Sequence, residues 1–522
     1  MTDDADLMQS VAQSLERLEA DEHDAEAWRT LAACQERLKA WPEAVNCYWA
    51  AVRLSPERTD WLADLRRAAD QAGDPALIEE LLRRYIGMTP GMEAGPLTLA
   101  GLLRERHRLD EAIAELREAI PRVRIPANLL NQLAALLGEQ GAMDEALEAV
   151  EAAVRLAPAW PAALQNRANI RLALGDIDGA LADGADAIAR TQGREQASIR
   201  LARALALLRA GRLEDGWRAY GVRLEPDYVA SIRFDIPLPR WTPDHPLAGA
   251  RLLLVGEQGL GDEIMFANAI PDLARQTDRL GLAVIPRLVP LFARSFPSAE
   301  VTYHHTSVAE AGVGRSVPGI DLSGYDAYAP MGDIMQVLRR TVAEFPGEAG
   351  GYLTPDPDRV AHWRRTLPPG RCIGLTWKSR GGLHARSRFY APFELWRPLF
   401  ERPGVTVVNL QYGDIAEEVA LTAAWNRPLW LPPGLDVEND LDELAALAAA
   451  LDGVAGPLNS AIYLSGAAGA RVAAVSVAEA WPGLGTETLP WFPGSLLATP
   501  ARPGAWREPV DQVIQRLAPD AR

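Results

Sequence analysis

The run Leu252-Leu253-Leu254-Val255-Gly256-Glu257-Gln258-Gly259-Leu260-Gly261-Asp262-Glu263-Ile264-Met265-Phe266 reads as a strand, a glycine-containing turn and then an apolar-periodic helix. An unbroken apolar run suits a strand covered on both faces, as in parallel sheets. Gly259, Gly261 and Asp262 then fall at the strand's carboxyl end, where open α/β sheets bind ligands. Glycines let a ligand approach the backbone, and a helix start favours anions. Asp262 equally suits a simple helix cap. No third glycine follows at the dinucleotide-binding spacing and no lysine completes a phosphate loop, so dehydrogenase and kinase readings lose ground.

The same grammar continues to the C-terminus. Short apolar runs at 251–255, 282–285, 373–377, 405–410 and 471–477 alternate with amphipathic stretches, which predicts parallel sheets covered by helices. A second strand–helix series opens near Ile373 after the polar stretch 354–370, so two α/β lobes with a cleft between them are expected. At that opening, Ile373 to Arg388 runs off a strand into a loop bearing Lys378, Arg380, Arg386 and Arg388. In so acidic a chain the cluster suits a phosphate or carboxylate clamp, or else a solvated basic loop paired with surface acids. Further on, Gly453 to Gly469 reads as a strand end and a small-residue helix. Asn459 and Ser460 stand at its start, where they could hold a diphosphate or serve as caps alone. The acidic run 436–443 is read as a helix start complementing the dipole rather than a metal site, and no metal is expected.

Upstream the period changes. Trp28, Leu31, Ala32, Gln35, Ala44, Tyr48, Ala51 and Pro56 fit the offsets of a tetratricopeptide hairpin, and Pro90 lies 34 residues beyond Pro56. Leu62, Leu65, Ile78, Leu82 and Tyr85 fill a degenerate second copy, while Leu130, Leu133, Ala134, Leu137, Ala146, Val150, Ala153 and Pro158 restore the register. The copy between them, around Ala100 to Ala119, is expected to follow a slip of about two residues. Two more hairpins follow with Gly175 and Gly211 at their turns, for about six in all. Such stacks usually receive a protein or peptide, although a spacer or dimerisation arm would look the same. Prolines then crowd into 224–250. The expected organisation is a helical array over 1–223, a proline-rich linker over 224–250, a first α/β lobe over 251–365 and a second over 366–522.

Bulk properties agree with several folded domains. The chain has 522 residues, 48% hydrophobic and 24% charged. A net charge of -17 gives no electrostatic case for nucleic acid or an anionic membrane. Three cysteines, Cys34, Cys47 and Cys372, match neither a zinc site nor a disulfide framework. The acidic start is followed by no apolar stretch long enough for a signal peptide or a membrane span, which points to the cytoplasm.

The array, then Gly211, the segment Gly216-Trp217-Arg218-Ala219-Tyr220-Gly221-Val222-Arg223, the proline-rich stretch and Glu257 to Asp262 together resemble bacterial tetratricopeptide–glycosyltransferase proteins over nearly the whole chain. The resemblance implies an α superhelix of tetratricopeptide hairpins plus a GT-B pair of Rossmann-like lobes, similar to the lipopolysaccharide heptosyltransferases, which need no metal. Some proteins of this architecture glycosylate flagellin in the cytoplasm with nucleotide-activated nonulosonic acids. By that likeness residues 1–223 would bind the acceptor protein, and the donor would be a nucleotide-sugar substrate, CMP-linked in the nonulosonic case, with no cofactor.

Asp262 matches the family's acceptor-activating aspartate and Lys378 its donor-phosphate lysine. The family's late segment, roughly D-T-x-x-x-H-L-A-G-A-L-G, is matched at 458–469 only in its second half. Leu458, Asn459 and Tyr463 stand where the family has Asp, Thr and His, which suits another nucleotide sugar or a loss of catalysis. Protein O-glycosylation is therefore the expected function. Asp262 would be the base, and Gly259, Gly261, Lys378, Arg380, Arg386, Arg388, Asn459 and Ser460 would bind the donor. A non-catalytic adaptor and a transferase acting on a carbohydrate acceptor are the alternatives.

Overall fold

The computed structural model describes residues 2–309, 312–348, 350–379, 389–478 and 480–519. They form two compact units, Met1–Asn166 and Arg167–Arg522. None of the described helices is long and apolar enough to cross a membrane. All three cysteines are buried free thiols.

The first unit opens with helix Thr2–Ala20 and continues as the hairpins Ala25–Arg37 with Trp41–Leu54, Trp61–Ala72 with Pro75–Met88, Ala94–Glu105 with Leu109–Ala119, and Ala127–Gln140 with Met143–Leu156. Each helix packs on the next. The reason is visible in the small residues: Ala32, Ala44, Ala100, Ala112, Ala134 and Ala146 are wholly buried, letting helix backbones approach closely. These alanines keep a 34-residue frame, with Arg66 and Ile78 in their places in the second hairpin, and the left-handed turn residues Lys39, Gly73, His107, Gly141 and Gly175 recur in strict 34-residue steps. The slip expected before Ala100 is therefore absent. The proline marker of Pro56 and Pro90 is replaced by Arg124 after the third hairpin, whereas the turn residues keep the register. Side chains also pair across neighbouring hairpins, as in Arg29 with Asp64 at 2.9 Å and Arg67 with Glu36 at 2.7 Å. Such exposed pairs contribute about 0–1 kcal/mol each, so the buried alanines and leucines carry the stack.

Three later helices, Ile177–Ile188, Gly193–Arg209 and Leu213–Tyr220, belong to the second unit. The division thus falls at 166/167 rather than after 223, because Trp217 and Tyr220 are buried in the core of the α/β part. Trp217 meets Phe266, Trp481 and Trp491 edge-on at 5.9 to 6.3 Å, and its indole N–H donates to the Arg339 carbonyl at 2.8 Å. Gly216 is required beside it, since a Cβ there would lie 2.6 Å from the Leu208 side chain.

The proline-rich stretch is not a free linker. Strand β1 (Ile232–Phe234) lies within it, and Ile232, Ile236, Trp241 and Leu247 are buried. The prolines exclude helix and sheet interior, leaving an extended strap that runs along the neighbouring strand, with the Trp241 N–H donating to the Tyr328 carbonyl at 2.7 Å.

The first lobe's strands are β2 (Arg251–Val255), β3 (Arg279–Val284), β4 (Glu300–Tyr303) and, after a hairpin of β5 (His305–Ala309) and β6 (Gly312–Ser316), β7 (Ala327–Pro330). The main sheet has the order β4-β3-β2-β7, all parallel. A small sheet, β1-β6-β5, joins the strap to the hairpin. The second lobe holds β8 (Arg371–Leu375), β9 (Val405–Asn409), β10 (Gly453–Pro457), β11 (Val472–Val475) and β12 (Leu496–Ala498), parallel in the order β12-β11-β10-β8-β9. Both orders reverse at an interior strand, β2 in the first lobe and β8 in the second, and such switch points open crevices at strand carboxyl ends.

Because Trp217 fills the α/β core, Trp217→Ala should destabilise the second unit by about 3–5 kcal/mol, read as a lowered urea midpoint. A fragment spanning 167–522 should unfold cooperatively, whereas one starting at 224 should show no cooperative transition by circular dichroism.

Candidate functional site

At the first switch point the chain leaves β2 through Gly256 and Glu257 and turns at Gln258, whose φ of 58° is left-handed. Gly256 is required because any Cβ there would collide with the Glu263 carboxylate. Gly259 then precedes the helix Leu260–Phe266. Asp262 Oδ2 accepts the Gly259 N–H at 3.2 Å, so the capping role is real. The same carboxyl is half-buried, and burial is the main cause that pushes its pKa up to about 6. The Gly259 N–H opposes that rise and the Glu257 charge adds to it. At neutral pH Asp262 is thus an ionised carboxylate of raised basicity, the property a general base needs.

Two buried ionic clusters, neither of which was read from the sequence, hold this loop. Arg223 lies over the Tyr220 ring and forks onto Glu257 with two contacts of 2.6 Å, then reaches Asp333 Oδ1 at 2.9 Å. Arg240 pairs with the other Asp333 oxygen at 2.7 Å, so two cations meet two carboxylates. Under the loop, Glu263 Oε1 accepts from His304 Nε2 at 2.8 Å and stands 3.3 Å from Arg315, and its other oxygen accepts the Ile285 N–H at 2.8 Å. The signal in the sequence was slight: Glu257 and Arg223 are charged residues set in otherwise apolar or glycine-rich runs.

In the second lobe, β8 leads straight into Thr376 and Lys378. The Gln411 side-chain carbonyl accepts the Thr376 hydroxyl and the N–H groups of Trp377 and Lys378, at 2.8 to 2.9 Å. Lys378 is not a free cation: its ammonium pairs with Glu418 at 2.9 Å and donates to the Asp414 carbonyl at 2.9 Å. Asn459 caps helix Ser460–Ala467 through the Ile462 N–H and donates to Thr376 Oγ1 at 2.9 Å and to the Lys378 carbonyl at 3.3 Å. Arg380, Arg386 and Arg388 lie outside the described residues. Asp440, in the acidic run, caps helix Leu441–Ala450 through the Glu443 N–H, as a helix start should.

The two switch points converge. Helix Leu260–Phe266 packs against helix Ser460–Ala467, and a Cβ on Gly261 would lie 3.1 Å from the Tyr463 ring. Gly261 therefore serves close helix approach. Tyr463, beside Gly261, is half-buried; burial and the Asp262 charge raise its hydroxyl pKa. Asp262, Asn459, Ser460 and Lys378 are thus brought to one region of the second unit.

These features define a class: tetratricopeptide-type hairpins joined to a pair of parallel α/β lobes whose switch-point loops meet. The chain is 39% identical over 514 residues to Protein FlbA of Caulobacter vibrioides, across 97% of this chain and 86% of that one. It belongs to the FlbA family. No protein-family model matches the chain. Among solved structures it is similar to MamA, at 18% identity, 32% of this chain, 91% of that one and a TM-score of 0.26. It is also similar to YrrB, described as a TPR protein with an unusual peptide-binding site, at 17%, 34%, 92% and 0.25. A third is a thermophilic TPR protein of Thermus thermophilus, at 22%, 35%, 99% and 0.27. Likenesses at these TM-scores carry no functional argument.

Arg223→Met would leave Glu257 and Asp333 buried with a single cation between them, and should destabilise the second unit by about 3–5 kcal/mol in chemical denaturation. Asp262→Asn should do the opposite. A folded pKa raised from 3.8 to about 6 means that the folded state loses stability as pH rises through that window, and the full cost remains above it. The substitution should therefore leave the unfolding free energy nearly unchanged near pH 4 and raise it above pH 6, by at most about 3 kcal/mol at 1.36 kcal/mol per unit, read as a higher melting temperature.

Proposed function

We propose that the chain is a protein O-glycosyltransferase that moves a sugar from a nucleotide-sugar to a Ser or Thr hydroxyl of an acceptor protein such as flagellin, held by the helical hairpins. The observation that supports this best is the meeting of two parallel-sheet switch points around a half-buried carboxylate, Asp262, whose pKa is pushed up to about 6. In this reading Asp262 takes the hydroxyl proton as that oxygen attacks the anomeric carbon. The bond from that carbon to the nucleotide phosphate breaks, and the phosphate leaves with the electron pair. The helix start at Ser460 and the basic residues after β8, with Arg380, Arg386 and Arg388 among them, would receive the departing charge. A nonulosonic acid, CMP-linked, is the donor that the family resemblance favours. No metal is assigned a part.

One observation favours a second reading, a non-catalytic adaptor whose α/β half has lost its chemistry. Lys378, the residue that should neutralise donor phosphate, is held by Glu418. A working transferase must release or share that ammonium when donor binds.

Intact-mass analysis of flagellin separates the two. If the reading holds, a glycan-sized increment present with the wild-type protein disappears both in cells lacking the gene and in cells carrying Asp262→Ala. Loss on deletion alone supports the adaptor, and an unchanged mass throughout removes flagellin as acceptor. Transfer by purified protein should be half-maximal near pH 6 and fall about tenfold per unit below it, because the base must be ionised.

A further inference from the structure

Beneath the loop 256–262 lies a buried cation for which the chemistry above has no use. Arg315 sits on β6 with 4% of its surface exposed. Its guanidinium forks to two carbonyl oxygens of the loop: Nη1 donates to that of Gly256, and Nη2 to that of Gln258 at 3.1 Å. Nη1 also stands 3.3 Å from Glu263 Oε1 and 3.3 Å from His304 Nε2, which itself meets that oxygen at 2.8 Å. Arg315 Nε, also buried, has no acceptor among the described residues. A desolvated guanidinium with an unsatisfied N–H is costly, so its place needs a reason beyond packing.

The reason lies in the backbone above it. Drawing the Gly256 and Gln258 carbonyls onto one planar fork fixes the chain direction at both residues. Gln258 is thereby held at a φ of 58°, a conformation unfavourable to a residue with a Cβ that persists only where the surroundings impose it. The next residue is Gly259, whose N–H meets the Asp262 carboxylate. Arg315 is thus one hydrogen-bonded step from the group proposed as base.

We propose that Arg315 is the positioning residue of the Asp262 loop, imposing the left-handed turn at Gln258 that sets where the Asp262 carboxylate stands. The inference rests on the reading of Asp262 as the working carboxylate of this site. Charged and titratable groups face Asp262 from every side. Glu257 and Glu263 come from its own loop and helix, Tyr220 from helix Leu213–Tyr220, Tyr463 from helix Ser460–Ala467, and Arg315 from β6. Arg223, behind Glu257, is committed to Glu257 and Asp333. Among the described residues, Arg315 faces Glu263, Glu257 and Asp262 together, and His304 also meets Glu263.

The test needs no activity assay. The melting-temperature gain from Asp262→Asn, followed against pH in the full chain, reports the titration of that carboxyl. With Arg315 present the gain should saturate above about pH 6. In an Arg315→Met background the midpoint should move by at least one pH unit, a tenfold change in proton affinity, and Arg315→Lys, which keeps the charge but loses the fork, should also move it. A midpoint unmoved by Arg315→Met overturns the proposal. Arg315→Lys, which keeps the charge and the fold but cannot fork, gives the second reading. Hydrogen exchange in the peptide 256–262 should quicken at least tenfold, and exchange no faster than in the wild type also overturns it. Neither readout involves flagellin, so this inference and the transferase reading can fail separately.

Discussion

The second unit depends on a clasp eight residues long, Gly216 to Arg223. Trp217 enters the α/β core among Phe266, Trp481 and Trp491, and Arg223 follows it to close on Glu257 and Asp333. The two contacts differ in kind. Burying the indole is favourable wherever it fits, whereas a buried guanidinium is tolerated only when its carboxylates stand in one arrangement. The aromatic contact therefore supplies stability and the ionic one supplies register. Together they make the last helices part of the lobe, and they explain why a division by helical period alone misplaces the boundary.

The clasp also reaches the site. Glu257 immediately precedes Gln258, so the carboxylate that receives Arg223 belongs to the same turn that Arg315 holds from below. One loop is gripped by an arginine from the helices on one side and by an arginine from a strand hairpin on the other. Between them Gly256 has no room for a side chain, because Glu263 occupies the space, and a Cβ on Gly261 would press on the Tyr463 ring. Glycines that look like a ligand-binding signature in the sequence thus also answer to packing.

Much of this was legible beforehand. The bounds of β2 and the start of its helix follow from an uninterrupted apolar run closed by glycine, a strong local signal. The 34-residue period was readable from alanines whose small size is itself the packing constraint. The turns were harder, because Lys39 and His107 take the left-handed conformation that glycine advertises elsewhere. Strand β1 has no local signal, because three residues in a proline-rich stretch become a strand only when β6 arrives to pair with them. The β5–β6 hairpin pairs neighbours along the chain, but its short strands are largely polar or glycine-containing and carry little apolar alternation.

What the sequence determined alone was whatever depends on neighbours along the chain: the hairpin period, the strand–turn–helix units, the caps at Asp262, Asn459 and Asp440, and the likeness that joined them. Tertiary structure decided which charges are free. Lys378 reads as a cation awaiting phosphate until Glu418 is beside it, and Arg223, Glu257, Asp333, Glu263, His304 and Arg315 read as scattered polar residues until the fold buries them together. The physical reason is that capping and periodicity act over a few residues, whereas the partner of a buried charge is set by desolvation and can lie a hundred residues away. Arg223 and Asp333 are separated by 110.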